Sequence, residues 1–121
     1  MPQLLFVYNA DAGLVNGVMD LFHKLLSPRT YPCSLCAVTY GGVSMRPEWH
    51  SFIKALPVAA RFLHRDEFVA AYPALASASL PAAFWLGEAG TPEPFLSTAE
   101  IDGTDLVQLM RLVQQRLAEK Q

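Results

Sequence analysis

The run Leu4–Tyr8 (LLFVY) decides how the rest of the chain can be arranged. This unbroken apolar run is typical of a strand that is covered on both faces, as the strands of parallel sheets are. Turn and helix-capping residues follow it: Asn9, Asp11 and Gly13. A helix is predicted from Leu14 to Leu26, because apolar residues recur there at helical spacing, and Pro28 ends it. Strand, turn and helix in this order predict the opening of a βαβ unit.

Beyond this unit, the chain alternates between helical and strand patterns. The predicted elements are a helix at Pro47–Leu56 that buries Trp49, a strand at Val58–His64, a short helix capped by Asp66, a hairpin of strands Pro81–Leu86 and Phe95–Ile101 around the turn Glu88–Pro94, and a final helix capped by Thr104. The order predicts an α/β fold in a single domain over residues 1–121. A helical insert, at about residues 28–57, separates the first helix from the second strand.

The tripeptide Leu80-Pro81-Ala82 opens the third predicted strand. Without the insert, the order β-α-β-α-β-β-α resembles the minimal thioredoxin or glutaredoxin fold, in which βαβ is followed by ββα. Thioredoxin-like proteins carry a cis proline at the start of that strand, so the resemblance implies a cis Leu80-Pro81 peptide bond. The dipeptide itself would not predict this bond, because only about 5–6% of X-Pro bonds in folded proteins are cis.

The composition is that of a globular protein, with 52% hydrophobic and 17% charged residues. A formal net charge of −2 and the lack of any Lys/Arg cluster argue against binding of nucleic acid or anionic lipid. Met1–Leu14 has no signal-peptide pattern, and no apolar run approaches the ~20 residues of a membrane helix. We therefore expect a cytoplasmic protein with no membrane or nucleic-acid partner, whose thiols are reduced at rest.

Both cysteines of the chain lie in the stretch Thr30–Gly41 (TYPCSLCAVTYG). Cys33 and Cys36 have a CxxC spacing, which on a helical turn places both sulfur atoms on one side. There they can close a disulfide or share a metal ion. At the start of a helix, which Pro32 would open, backbone N–H groups lower the pKa of the leading Cys33. The pattern thus predicts a thiol site for redox response or for soft-metal binding, with packing as small hydrophobic groups as a third interpretation.

Each interpretation implies different ligands or partners. A closed site for zinc or another soft metal needs about four ligands. His23, on the polar face of the first predicted helix, is the best third ligand, and Asp20 or His50 could supply the fourth. The redox interpretation requires no cofactor and implies an unknown protein or thiol partner. If the cysteines only pack, the insert would be the docking surface of a non-catalytic interaction module.

The cysteine pair does not occupy the position that the thioredoxin resemblance implies. In thioredoxin-like proteins the redox pair lies where the first strand meets the first helix, beside the cis proline. Here that position reads Asn9–Gly13 (NADAG) and has no cysteine. The predicted helix Leu14–Leu26 separates it from the cysteine segment by about 20 Å. We therefore expect Cys33 and Cys36 to lie far from Pro81.

A more local signature runs through the cysteine segment. Its residues are Tyr8-Asn9-Ala10-Asp11 with Gly13, His23-Lys24, Ser27-Pro28, Thr30-Tyr31, Cys33, Leu35-Cys36-Ala37 and Thr39-Tyr40-Gly41, followed by Phe62, His64 and Asp66-Glu67-Phe68. This signature resembles a family of short, uncharacterised bacterial proteins. The resemblance implies membership of a group and no particular mechanism.

Several enzyme motifs are missing from the sequence. It contains no G-x-x-x-x-G-K-[ST] phosphate loop, no G-x-G-x-x-G, no G-x-S-x-G elbow and no H-E-x-x-H. Ala37 follows Cys36 where a c-type haem site would have a histidine. P-loop nucleotide hydrolysis, serine-hydrolase chemistry of the elbow type and c-type haem attachment are therefore excluded as interpretations.

Overall fold

The structure is a computed structural model that describes residues 2–9, 34–41, 44–88 and 90–120. The predicted first helix, with His23 and Asp20, lies outside the described residues, and so does Cys33. The backbone at Cys36 is described, whereas its side chain is not.

The described residues form strands and helices in an alternating order. They are β1 (Gln3–Val7), α1 (Ser34–Thr39), β2 (Tyr40–Gly41), β3 (Ser44–Met45), α2 (Pro47–Ala55), β4 (Ala59–Leu63), α3 (Arg65–Ala71), a 3-10 turn (Pro73–Leu75), β5 (Ala82–Leu86), β6 (Pro92–Leu96), α4 (Thr98–Asp102) and α5 (Leu106–Lys120). The fold is therefore mixed α/β, as the sequence predicts.

Four strands form one mixed sheet in the order β4-β1-β5-β6. β1 pairs parallel with β4 and antiparallel with β5, and β5 pairs antiparallel with β6. The predicted hairpin of the last two strands is therefore confirmed, but β6 begins at Pro92, inside the predicted turn Glu88–Pro94, and not at Phe95. β1 lies inside the sheet, and Leu4 to Val7 are fully buried, so the apolar run is a strand covered on both faces.

The two faces of β1 belong to two separate clusters of buried side chains. One face contributes Leu4, Phe6 and Tyr8 to the large cluster, whose other buried members are Leu35, Trp49, Ala83, Phe95, Leu96, Ile101, Leu109, Val113 and Leu117. The opposite face contributes Leu5 and Val7 to the small cluster, together with Phe68, Ala82 and Phe84. This alternation follows from the two-residue period of a strand.

The described part of the insert packs against the large-cluster face of the sheet. Trp49 in α2 is fully buried, and its ring meets that of Phe6 edge to face at 5.5 Å between centroids. Leu35 in α1 is also fully buried in the large cluster. The helix predicted at Pro47–Leu56 is confirmed, and it shares the large cluster with β1.

The predicted strand Phe95–Ile101 is wrong beyond Leu96. β6 ends there, and the chain enters α4 after Ser97. The Ser97 side chain accepts a hydrogen bond from the Glu100 backbone N–H, and the Glu100 carboxylate accepts one from the Ser97 backbone N–H. This reciprocal capping box is visible in the sequence as Ser-Thr-Ala-Glu. It favours the start of a helix more strongly than the short apolar pattern favours a strand.

Two predicted helix caps are displaced by one or two residues. α3 begins after His64 instead of Asp66, which lies in the first turn of α3. α5 is capped by Asp105, which exchanges hydrogen bonds with Gln108, instead of Thr104. The Thr104 hydroxyl instead donates to the carbonyl of Ile101 at the end of α4.

Replacing Trp49 by alanine is expected to lower the free energy of unfolding by about 3–5 kcal/mol, because a fully buried indole would leave a cavity beside Phe6. Urea unfolding followed by far-UV circular dichroism measures this loss. Trp49→Phe should cost less, since it keeps a ring in place and removes an indole N–H that is buried without a partner among the described residues. The exposed Val107→Ala serves as control and should change stability by no more than about 0.5 kcal/mol. A loss below about 1 kcal/mol for Trp49→Ala would contradict the packing of the insert on the sheet.

Candidate functional site

Three strands end at one edge of the sheet, which we name the carboxyl edge. β1, β4 and β6 run in one direction, because β5 is antiparallel to β1 and β6 while β4 is parallel to β1. The edge is formed by Tyr8 and Asn9 after β1, His64 after β4, Ser97 and Thr98 after β6, and Pro81 before β5. Ligands of open α/β sheets bind outside the carboxyl ends of the strands, which makes this edge the candidate functional site.

Pro81 occupies the start of β5, the strand beside β1. The Leu80-Pro81 peptide bond is cis, as the thioredoxin resemblance implies. Pro81 is buried, and its carbonyl oxygen accepts a hydrogen bond of 2.8 Å from Oγ1 of Thr98. This bond joins the start of α4 to the start of β5.

The helix that carries Cys36 packs against α4. Cα atoms of α1 approach those of α4 to within 8 Å, and Leu35 of α1 shares the large cluster with Ile101 of α4. Thr39 at the end of α1 is fully buried, and its hydroxyl donates to the Leu35 carbonyl at 2.6 Å. Burial of Leu35 and Thr39 therefore fixes the backbone of the cysteine helix relative to the sheet.

The sequence predicts that the insert lies at the far end of the first helix, away from the cis proline. In the structure, α1 lies against α4, and α4 begins at Thr98, which is hydrogen-bonded to Pro81. Cys33 itself lies outside the described residues, so its wide separation from Pro81 stays a prediction.

His64 and Glu67 form a hydrogen-bonded pair at the end of β4. Oε1 of Glu67 accepts the backbone N–H of His64 and lies 2.8 Å from Nδ1 of the His64 ring. These bonds, the backbone one first, lower the pKa of Glu67 below its ordinary value. The sequence predicts His64 as the end of a strand and as part of the local signature, with no chemical role. The H-x-x-E spacing after that strand is the signal that could have identified the pair.

The ends of β1 and β4 are joined by further contacts. The backbone N–H of Tyr8 donates to the Leu63 carbonyl at 2.9 Å, and Nη1 of Arg65 lies 3.3 Å from Oδ1 of Asn9. The Tyr8 ring is 5.4 Å from the His64 ring between centroids. Tyr8 and Asn9, which follow β1, are thus held next to His64 and Arg65. The predicted capping residue Asp11 lies outside the described residues.

The predicted metal site is not assembled among residues that the structure describes. Within 2–9, 34–41, 44–88 and 90–120, no three His, Cys, Asp or Glu side chains are grouped so that they could hold a metal ion. His50 is exposed on α2. Cys33, His23 and Asp20 are outside these ranges, so zinc or another soft metal on Cys33, Cys36 and His23 stays a prediction. No helix in the described ranges has the length and apolar character to cross a membrane.

An ion pair fastens α4 to α5. Arg116 on α5 contacts the Glu100 carboxylate, and its Nη1 also donates to the Phe95 carbonyl at 3.2 Å. The pKa of Glu100 is lowered, chiefly by the hydrogen bond from the Ser97 backbone N–H and secondarily by Arg116. Because α1 packs on α4, this ion pair also stabilises the position of the helix that α1 contacts.

Glu100→Gln is expected to lower stability at pH 7, and the deficit should shrink in acid. A carboxyl whose folded pKa is depressed contributes stability that is present above its unfolded pKa and lost as the pH falls through the folded value. For Glu100 the ordinary value is 4.5, so the loss begins near that pH. Urea midpoints between pH 7 and pH 3 measure the effect, with the exposed Glu88→Gln as control. If the stability deficit of Glu100→Gln persisted unchanged to pH 3, the predicted contribution of the ionised Glu100 carboxylate would be contradicted.

Comparison with protein-family models, curated proteins and solved structures gave no match to this chain. The function is accordingly inferred from the carboxyl edge, the cysteine helix and the chemistry of their residues.

Proposed function

We propose that the protein is a thioredoxin-like thiol protein whose Cys33 and Cys36 undergo reversible disulfide exchange. The proposal concerns a site carried by the insert and not by the turn after β1. Its partner would be a protein or a small molecule that contains a disulfide or thiol.

The sheet topology supports the thioredoxin-like part of the proposal. The thioredoxin resemblance implies βαβ followed by ββα with a cis proline opening the third strand. The observed sheet has a parallel pair, β1 and β4, followed in the chain by the antiparallel hairpin β5–β6 and a final helix. The cis Leu80-Pro81 bond directly precedes β5.

The observation that supports the thiol part is the backbone of α1, which is described from Ser34 to Thr39 and carries Cys36. The sequence predicts Cys33 at the start of this helix, where unpaired backbone N–H groups would favour its thiolate. The six-residue helix is short, but the burial of its Leu35 in the large cluster with Ile101 of α4 gives its backbone a fixed position.

The proposed exchange proceeds in two balanced steps. The Cys33 thiolate attacks one sulfur of the partner disulfide, which forms a mixed disulfide and releases the other partner sulfur as a thiolate. The Cys36 thiolate then attacks the Cys33 sulfur, which closes the Cys33–Cys36 disulfide and releases the second partner thiolate. Two electrons pass from the cysteine pair to the partner, and the two cysteine protons end on its thiols.

Removal of Cys36 should trap the first step. In Cys36→Ser, exposure to a disulfide such as oxidised glutathione should accumulate a mixed disulfide at Cys33, whereas wild type should resolve it to an internal disulfide. Mass spectrometry of the acid-quenched protein distinguishes the two products, and Cys33→Ser is the matched variant that should react slowly. Alkylation of the reduced protein should give Cys33 an apparent pKa below the free value of ~8.5. Slow and equal labelling of both thiols would favour packing and contradict the proposal.

The metal interpretation makes a separate prediction for His23. If the cysteines hold a soft metal, His23→Ala should reduce the metal that copurifies without chelator, because the site would lose a ligand. Elemental analysis with a free-thiol titration measures both quantities, and His50→Ala is the control for a general loss of histidine. Under the redox proposal, wild type and His23→Ala both contain no stoichiometric metal. If the wild type contains stoichiometric metal and His23→Ala loses it, metal binding would replace disulfide exchange as the proposed function.

A further inference from the structure

The two outer strands of the sheet differ in the backbone groups that they present outward. In the order β4-β1-β5-β6, β4 and β6 each have a neighbouring strand on one side only, as far as the described residues go. Successive residues of a strand direct their N–H and C=O groups alternately to one side and to the other. The register of the pairing therefore shows which residues of each outer strand face away from the sheet.

The outer edge of β6 is closed to another strand. Glu93 lies opposite Trp85 of β5, and Pro92 and Pro94 flank it. Because proline has no N–H to donate to β5, Glu93 is the residue that bonds β5 and the two prolines face outward. Lys120 also pairs with Glu93 at 3.5 Å. Outward positions without an N–H cannot take up a further strand.

The outer edge of β4 is open in the described part of the chain. The Leu63 carbonyl accepts the Tyr8 backbone N–H, so Leu63 and, two positions earlier, Arg61 direct their backbone groups toward β1. Ala60 and Phe62 must then direct theirs outward. Among the described residues, no hydrogen bond satisfies these outward N–H and C=O groups. β4 therefore presents a strand edge that proline does not block.

The side chains beside this edge differ between the two faces of the sheet. Phe62 lies on the large-cluster face, where its half-buried ring stacks on the rings of Phe6 and Tyr8. Arg61 lies on the opposite face and is exposed. Arg61 forms no ion pair with any residue that the structure describes. A strand added to β4 would meet an apolar ring on one face and an unpaired positive charge on the other.

The charge of Arg61 determines which kind of strand fits. If a second copy of the chain paired antiparallel through all the outward groups, Ala60 of each copy would lie opposite Phe62 of the other. Arg61 would then lie directly opposite the same arginine of the other copy. Like charges directly opposite destabilise a pair of strands, whereas opposite charges stabilise it. The edge therefore favours a strand that carries an acidic residue at this position.

We propose that β4 is a docking edge for an extended segment of another protein, which bonds the backbone of Ala60 and Phe62 and places an acidic side chain opposite Arg61. In this strand addition, main-chain hydrogen bonds supply affinity and alternate side chains supply specificity. The residues on either side of the acidic one would face Phe62, so apolar side chains fit there. The docking does not require the thiol chemistry of the proposed function.

Hydrogen exchange of the protein alone, followed by NMR, tests whether the edge is open. The amides of Ala60 and Phe62 should exchange on the order of 100-fold faster than those of Arg61 and Leu63, which are bonded to β1. Protection of Ala60 and Phe62 at every protein concentration would show that the chain covers its own edge and would overturn the proposal. Protection that grows with protein concentration would assign the edge to a second copy and would overturn it as well.

The probe for docking is an acetylated and amidated peptide of threonine and valine with glutamate at its centre. It should cause saturable shifts of the Ala60 and Phe62 amide signals and slow their exchange, and its lysine-centred counterpart should bind about 2- to 5-fold more weakly. Arg61→Glu should reverse this preference, because the charge opposite the central residue changes sign. Arg111→Glu makes the same charge change at an exposed position on α5 and should leave the preference as in wild type.

The outcomes decide the proposal whether or not the variant folds. No saturable shift at β4 overturns it, and so does an equal affinity of wild type for the glutamate-centred and lysine-centred peptides. Circular dichroism verifies that Arg61→Glu is folded. A folded Arg61→Glu that retains the wild-type preference also overturns the proposal. Should this variant fail to fold, the glutamate-centred peptide with N-methylated backbone decides on wild type: loss of binding supports strand addition, and undiminished binding overturns it.

Discussion

The burial of β1 on both faces is the constraint on which the rest of the structure depends. A strand with Leu4 to Val7 fully buried needs a neighbour on each side for its backbone groups and a layer of side chains over each face. β4 and β5 provide the hydrogen bonds, and the two clusters provide the layers. Because β4 is parallel and β5 antiparallel to β1, the carboxyl edge collects the ends of β1 and β4 and the beginning of β5.

The two layers over β1 have different consequences for function. The small cluster is closed by α3 and the turn after it, through Phe68, Tyr72 and Leu75. The large cluster also takes in the insert, because Leu35 and Trp49 are buried beside Phe6 and Ile101. Burial of Leu35 anchors the backbone of α1, which carries Cys36. The proposed thiol chemistry would therefore depend on the same apolar contacts that stabilise the sheet.

The carboxyl edge positions the His64–Glu67 pair and Thr98. His64 is the residue after β4, and its ring is held by a carboxylate from the first turn of α3 and by contact with Tyr8. Thr98, the first residue of α4, bonds to Pro81 and belongs to the helix against which α1 packs. The directions of the strands thus bring polar groups from distant parts of the sequence to one edge. Catalysis in general requires several such groups to be held together.

Local patterns in the sequence determined four elements: the buried strand at Leu4–Tyr8, the helix at Pro47–Leu56, the strand before His64 and the final hairpin. These patterns are the strand and helix periodicities, the prolines and the apolar runs, and each acts over only a few residues. The cis bond at Pro81 required a resemblance in addition, because the dipeptide has no sufficient preference for it. Only the tertiary structure decided that α1 lies against α4 and that His64 faces Tyr8. Those contacts join residues dozens of positions apart, and their free energy comes from buried side chains such as Leu35 and Ile101 that no local pattern pairs. The CxxC motif and its spacing were visible in the sequence, whereas the position of α1, which carries Cys36, is set by packing.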